Sequence, residues 1–92
     1  MAEIKIEKNL SEEQLDHYGV FDWDIWEKEV SEFPWVYDDE EVCFVLDGEV
    51  EVIPDDGEAV LIVAGDLVTF PQGMSCYWKI HAPIRKYYQF ND

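Results

Sequence analysis

Histidine is scarce in this sequence, and so are basic side chains. Only two histidines, His17 and His81, occur in 92 residues, and six Lys and Arg residues stand against 22 Asp and Glu residues, which gives a formal net charge of −16. Nucleic acids and anionic membrane surfaces are themselves negative, so a chain of this charge is a poor partner for either. Two histidines are also too few for a histidine-rich metal site, in which several neutral imidazoles bind one ion.

Cysteines and long apolar runs are few as well. The two cysteines, Cys43 and Cys76, make no disulfide framework, which favours a reducing cytoplasm. The first residues alternate charged with apolar types and contain no apolar core of a signal peptide. No later stretch has the length of a membrane span. We therefore expect a cytoplasmic protein that does not contact the membrane.

The N-terminal segment predicts one strand and one helix. Residues 3–8 alternate isoleucine with charged side chains, as in a short half-buried strand. Ser11 followed by Gln14 is a capping-box pattern, and Gly19 offers the left-handed stop of a helix. We expect the strand over 3–8 and a two-turn helix over about 12–18.

The second half of the chain has the pattern of an all-β protein. Turn-forming residues recur at intervals of roughly eight to ten residues between short β-branched runs, which is typical of a sandwich or barrel. Asp47-Gly48 has the composition of a tight hairpin turn, which would join strands 41–46 and 49–53. Strands 60–63 and 67–70 are apolar on both faces, so both of their faces need cover.

The strand over 41–46 also has a second apolar face, made of Val42, Phe44 and Leu46. The N-terminal segment is one candidate to cover this face, and a second subunit is the other. Because so short a chain has few residues left for the task, we expect a homodimer that uses this face with help from residues 21–33. The aromatic residues of that segment predict the lid of a small core, since its acidic residues oppose stacking on nucleic acid.

One segment carries a recognisable spacing around a carboxylate. Trp35 and Tyr37 are followed by three residues and Glu41, and six further residues separate Glu41 from Gly48. This order resembles the first cupin motif, His-x-His, three or four residues, Glu, six residues, Gly. Period-two alternation also predicts that Trp35, Tyr37 and Glu41 share one strand face with Cys43 and Val45.

A second segment matches the other cupin motif, which runs Gly, five residues, Pro-x-Gly, two residues, His, three residues, Asn. Gly65, Pro71 and Gly73 stand in the expected places. Cys76 occupies the histidine place, and Ile80 occupies the asparagine place. The Pro-x-Gly turn is expected to direct Cys76 along the next strand.

These motifs, with Cys43-Phe-Val-Leu-Asp-Gly-Glu-Val and the segment Pro83-Ile-Arg-Lys86, resemble the small cupins grouped with ureidoglycine aminohydrolase and the ethanolamine-utilisation cupin. The resemblance covers roughly residues 23–90. It implies an all-β cupin jelly roll, a barrel of the double-stranded β-helix type, with a short N-terminal helix. We expect one cupin domain over 1–92, with a strand and helix extension over 1–22 and the barrel over 23–92.

The family resemblance implies a metal site of three histidines and a glutamate, but this sequence departs from it. Trp35 and Tyr37 hold two histidine places and Cys76 holds the third, which leaves Glu41 with a mixed and incomplete set of donors. We therefore expect no bound metal and no other cofactor.

Glu41 is the residue whose chemistry most demands an explanation. An ionised carboxylate inside an apolar barrel costs several kcal/mol unless it is paired or protonated. If residues 84, 86, 88 and 90 form the inner face of the last strand, Lys86 is its counter-ion. The pair is either a ligand anchor or a structural network with Tyr37.

Cys76 is either a nucleophile, activated by a nearby Lys86, or a plain buried side chain. No histidine stands at a motif position to activate it, which favours inert packing. Trp78 and Tyr88 are expected in the pocket wall. The predicted ligand-binding residues are Trp35, Tyr37, Glu41, Cys76, Trp78 and Lys86.

Three functional hypotheses follow from these residues and from the resemblance. The first is a cupin that binds a small polar metabolite in its barrel pocket without the usual metal site. The second is an enzyme of nitrogen or carbon metabolism, similar to the aminohydrolase. The third is a structural subunit with no ligand, for which side chains would fill the barrel interior around Glu41.

Overall fold

The structure is a computed structural model that describes residues 3–91, so residues 1, 2 and 92 of the expected 1–92 domain lie outside the described residues. Within 3–91 the chain forms seven strands, one α-helix (α1) and one 3₁₀ turn. No helix in this range is long and apolar enough to cross a membrane. In chain order the elements are β1 Lys5–Glu7, α1 Glu12–Tyr18, the 3₁₀ turn Val20–Asp22, β2 Asp24–Lys28, β3 Ser31–Val36, β4 Glu40–Pro54, β5 Val60–Val63, β6 Leu67–Phe70 and β7 Ser75–Asn91.

Two long strands, β4 and β7, form an antiparallel ribbon that organises the sheet. The first half of β4 pairs with β6, while its second half pairs with β5. The first half of β7 pairs with β3, and its second half pairs with β2. The ribbon thus belongs to two sheet halves whose inner residues share one buried core. The result is the all-β jelly roll that the sequence predicts.

The helix prediction is confirmed in its bounds and in both caps. Ser11 Oγ accepts a hydrogen bond from the Gln14 amide at 3.1 Å, and Gln14 Oε1 accepts one from the Ser11 amide at 2.9 Å. Gly19 ends the helix at φ +80°, in the left-handed region that glycine adopts at low cost.

The predicted hairpin at Asp47-Gly48 is wrong. β4 continues through this point from Glu40 to Pro54, and only its register against β7 shifts, as in a β-bulge. Gly48 has φ +106°, and a Cβ atom there would overlap the Pro83 carbonyl oxygen and lie 2.7 Å from the Ile84 Cα. The glycine therefore permits close approach of β7 at the bulge. From the sequence alone, the same dipeptide predicts only a turn.

Two other strand predictions need correction. The strand expected over 3–8 is limited to Lys5–Glu7, where it pairs with β6. Trp35 and Glu41 are not on one strand, because a bend at Asp38 and Asp39 separates β3 from β4. The strands expected over 60–63 and 67–70 are confirmed as β5 and β6. The expected cover on both faces is wrong for β5, because Leu61 is 54% exposed on its outer face.

The outer face of β4 is covered in part by the N-terminal segment of the same chain. Val42 and Phe44 pack against a second buried cluster, formed by Leu15, Val20 and Leu67. Of the two candidates for covering this face, the intramolecular one is therefore present. Leu46, the third residue of this face, is not part of that cluster.

Candidate ligand-binding site

An open cavity of about 230 Å³ lies on the inner side of the barrel. Seven aromatic side chains and one ion pair form its wall. Those side chains are Trp26, Phe33, Trp35, Tyr37, Trp78, Tyr88 and Phe90, and the ion pair is Glu41 with Lys86.

The ion pair follows from the register of β4 and β7. Glu41 lies opposite Phe90, and Val45 lies opposite Lys86, so both charged residues are on inward-facing positions of neighbouring strands. The long lysine side chain extends along the ribbon, and its Nζ donates to Glu41 Oε2 at 2.5 Å. Glu41 is 4% exposed and Lys86 is 5% exposed. In a pair this buried each charge compensates the other, so the loss of either would leave an unpaired buried charge.

Two indole rings hold the lysine from the sides. Lys86 Nζ lies 4.9 Å from the ring centroid of Trp78 and 5.1 Å from that of Trp26. Trp26 is the direct cross-strand partner of Lys86 in the β2–β7 pair. The ammonium is thus held by a carboxylate and by two aromatic faces, which attract a cation through the ring quadrupole.

Tyr37 forms the floor between the cavity and the core. Its ring stacks on Phe70 with centroids 4.8 Å apart, and its hydroxyl oxygen accepts a hydrogen bond from Trp78 Nε1 at 3.2 Å. The Pro-x-Gly turn fixes its backbone, since Gly73 donates to the Tyr37 carbonyl and Met74 accepts from the Tyr37 amide. Burial, together with the Glu41 carboxylate, raises the pKa of Tyr37 far above its usual range, so the hydroxyl remains protonated.

Neither cysteine is an activated nucleophile. Burial raises the pKa of Cys76 to about 11 and that of Cys43 to about 12, so both are thiols near neutral pH. Cys76 Sγ lies 3.6 Å from the Trp35 carbonyl oxygen, to which it donates, and it does not line the cavity. Both cysteines are free and buried.

The metal centre that the fold implies does not fit these residues. The Trp35 indole nitrogen is only a donor, and the Tyr37 hydroxyl keeps its proton. Glu41 already accepts from the Lys86 ammonium, which supplies a positive charge at the carboxylate. Between residues 3 and 91, no group of three or more His, Cys, Asp and Glu side chains could hold a metal ion. The residues at the motif positions therefore support no chemistry through a metal.

The structure brings five of the six predicted ligand-binding residues together around one cavity, and Cys76 lies behind its wall. Tyr88 also takes its expected place, in the wall. Trp26 and Phe33 are not among the residues predicted for the pocket wall, and Phe90 is predicted only for the inner face of the last strand. Phe90 shares the period-two face of Lys86, so that alternation was a usable signal. Trp26 and Phe33 enter only through the pairing of β2 and β3 with β7, which no local pattern specifies.

A jelly-roll barrel with Glu41, Gly48, Gly65 and the Pro71-x-Gly73 turn at motif spacing, and with its candidate site inside the barrel, defines a small cupin. The chain belongs to the family of the EutQ-like cupin domain, whose family model matches residues 15–88. Comparison with curated proteins gives no match.

Solved structures agree with this assignment. The chain is 52% identical to a DUF861-family protein from Thermotoga maritima, with a TM-score of 0.92 over 97% of this chain and 100% of that one. It is 29% identical to a putative ethanolamine utilization protein Q from Salmonella typhimurium and 26% identical to the EutQ protein of Clostridium difficile, each with a TM-score of 0.65 over 72% of this chain. The chain spans about half of these two proteins, 53% and 52% of their length. Similarity to ureidoglycine aminohydrolase remains a prediction.

Proposed function

We propose that this protein binds a small metabolite in the aromatic cavity of its barrel, with Glu41 and Lys86 as the polar anchors. The observation that carries the proposal is the open cavity itself, in which a buried ion pair faces aromatic walls. Apolar walls with a few polar groups in fixed positions are the usual composition of small-molecule sites. In a purely structural subunit, side chains would be expected to fill this space beside the buried charges.

An enzymatic activity is a second candidate, and one observation favours it. The Glu41 carboxylate and the Lys86 ammonium, which can accept and donate a proton, border the same cavity. The names of the two EutQ relatives connect those proteins with ethanolamine utilization. Binding is nevertheless required for either role, so binding is the property to test first.

The test is a thermal-shift screen of small metabolites on the wild type, Glu41→Gln and Glu51→Gln. Glu51 is a matched control because its carboxylate pairs with His81 on the outside of the sheet, 3.2 Å away. A ligand at ten times its Kd stabilises the native state by about 1.4 kcal/mol. For a domain of this size, each kcal/mol of stabilisation raises the unfolding midpoint by roughly 4–8 °C.

We expect at least one compound to raise the midpoint of the wild type and of Glu51→Gln, and to raise that of Glu41→Gln much less. Equal shifts in all three proteins would place the ligand outside the cavity. A broad screen in which no compound shifts the wild type would contradict the proposal.

A further inference from the structure

We infer that the cavity selects a flat, uncharged ring that carries an N–H group and a carbonyl group on adjacent ring atoms, that is, a cyclic amide. This inference rests on the proposed ligand-binding function and names the chemical class of its ligand. It follows from three properties of the cavity: its walls, the unused hydrogen-bonding capacity of its ion pair, and its charge.

The walls favour a flat ring of one or two cycles. The Phe33 and Trp78 rings stack in nearly parallel planes at 5.9 Å, and Trp35 closes the Phe33 side edge-on at 6.5 Å. Aromatic surfaces of this kind prefer stacked or edge-on contact with another ring. An apolar cavity of about 150 Å³ accepts benzene, so the space of about 230 Å³ found here fits a ring with one or more substituents or a small fused pair.

The ion pair leaves one acceptor and at least one donor for a ligand. Glu41 accepts from Lys86 through Oε2, and its Oε1 has no hydrogen bond among the described residues. In that part of the chain, no side-chain nitrogen or oxygen is both fully buried and unpartnered, so Oε1 is accessible. The cavity is the open space that Glu41 borders. Lys86 has three N–H donors and gives one of them to Glu41, while the others meet only the faces of Trp26 and Trp78 and have no hydrogen-bond acceptor among the described residues.

A ligand that satisfies both groups must donate to the carboxylate and accept from the ammonium at neighbouring positions. The edge of a cyclic amide has this pattern, because its N–H and C=O are attached to adjacent ring atoms and point to the same side. An ether, a ketone or a plain aromatic ring lacks the donor and leaves the carboxylate oxygen unpaired.

Charge excludes two other classes. Lys86 already occupies the position that an external cation would take between the indole faces of Trp26 and Trp78. An anionic ligand would be repelled by the Glu41 carboxylate beside it. The ion pair is neutral as a whole. A neutral polar ligand therefore enters the cavity at the lowest cost in desolvation and charge repulsion.

The experiment compares 2-pyridone with N-methyl-2-pyridone by isothermal titration on the wild type. The two rings are equally flat, and only the first has the N–H donor. We expect 2-pyridone to bind at least about tenfold more tightly, because a lost hydrogen bond to a buried charge exceeds the free energy of a tenfold change in affinity. Acetamide, which has the amide without the ring, is expected to bind more weakly than 2-pyridone.

The double variant Glu41→Leu/Lys86→Met removes both the acceptor and the donor of the pair and keeps the aromatic walls. We expect it to bind the two pyridones with similar affinity. If this variant does not fold, the comparison of the two ligands on the wild type decides alone.

Equal binding of both pyridones to the wild type would overturn this inference and leave the proposed ligand site intact. If neither pyridone binds the wild type, the inference fails, whereas the proposed function fails only if no compound of the metabolite screen shifts the wild type.

Discussion

Among single residues, Glu41 and Lys86 have the largest energetic consequences in this fold. Both side chains are about 95% buried, and their 2.5 Å hydrogen bond is the only one that either side chain makes among the described residues. Each charge therefore depends on the other for compensation. Removing one partner of such a pair costs about 3–5 kcal/mol, whereas replacing both by neutral groups of similar volume is often close to neutral.

We predict that Lys86→Met lowers the free energy of unfolding by about 3–5 kcal/mol and that Glu41→Gln/Lys86→Met lowers it less. Urea unfolding of both variants measures the difference. Arg85→Met is the control, because the Arg85–Glu27 pair is exposed and is expected to contribute less than about 1 kcal/mol. If the single and the double variant unfold at the same urea concentration, the two residues are not energetically paired.

Cys43 makes stability depend on alkaline pH. Burial raises its pKa from 9.0 to about 12, so the native thiol keeps its proton where the unfolded thiol has lost it. Above pH 9 the unfolded state therefore binds fewer protons than the native state. The contribution of Cys43 to stability is fully present below pH 9 and is lost as the pH rises towards 12.

We compare the drop in the free energy of unfolding between pH 8 and pH 10. This drop is expected to be about 1 kcal/mol smaller in Cys43→Ala than in the wild type. Urea unfolding of both proteins at the two pH values measures this change in the free energy of unfolding. The absolute stability of the variant is not used, because the alanine also leaves a small cavity. Equal losses in the two proteins would show that the native thiol titrates at its ordinary pKa.

At the scale of elements, the β4–β7 ribbon decides where every cavity residue lies. Its bulge at Gly48 changes the register by which the two halves of β4 pair with β7, and Pro83 lies opposite, at a position where a strand can lack an amide donor. The Asp47-Gly48 dipeptide is the local signal for a hairpin, but the strand continues because both of its halves have partners. Pairing with the other strands thus overrides the local preference of Asp47-Gly48 for a hairpin turn.

We predict that Gly48→Ala destabilises the protein more than Gly65→Ala does. Both glycines have positive φ, at +106° and +94°, so each substitution carries backbone strain of about 1–3 kcal/mol. Only at Gly48 does the new methyl group overlap the backbone of Pro83 and Ile84, which adds roughly 1–3 kcal/mol. Chemical denaturation of the two variants measures the difference, and equal losses would contradict close approach at the bulge.

The elements also show how far the sequence predicts this site. Period-two alternation was sufficient to place Glu41 and Lys86 on inner faces and to pair them, because both lie in strands with clear alternation. The helix could be predicted residue by residue, since its caps are local. Trp26 and Phe33 could not be assigned to the cavity, because their positions depend on the non-local pairing of β2 and β3 with β7.

At the scale of the whole molecule, the expected homodimer remains a prediction, and its expected interface changes. Val42 and Phe44 are covered by the N-terminal segment, so they do not offer a free face. Exposed apolar side chains remain on the outer face of the other sheet half, among them Val36, Leu61 and Tyr77. We therefore expect a second copy to pack there, since exposed apolar patches are uncommon on monomers.

Light scattering at micromolar concentration is expected to give about twice the chain mass of 10.8 kDa. Tyr77→Glu is expected to reduce it to the mass of one chain, because a buried charge disfavours the contact. A wild-type mass near that of one chain would exclude the dimer, and an unchanged dimer in folded Tyr77→Glu would place the interface elsewhere.

The central claim is that the barrel cavity is a ligand site, and the four tryptophans of the chain allow a direct test. Trp26, Trp35 and Trp78 line the cavity, whereas Trp23 packs in the outer cluster beside the helix. The measurement is the set of indole N–H signals in an ¹⁵N NMR spectrum during titration with any compound that raises the unfolding midpoint. We predict that the signals of Trp26, Trp35 and Trp78 move with one common Kd while that of Trp23 stays in place. Movement of the Trp23 signal alone, or no movement of the three cavity signals at saturating ligand, would contradict the account.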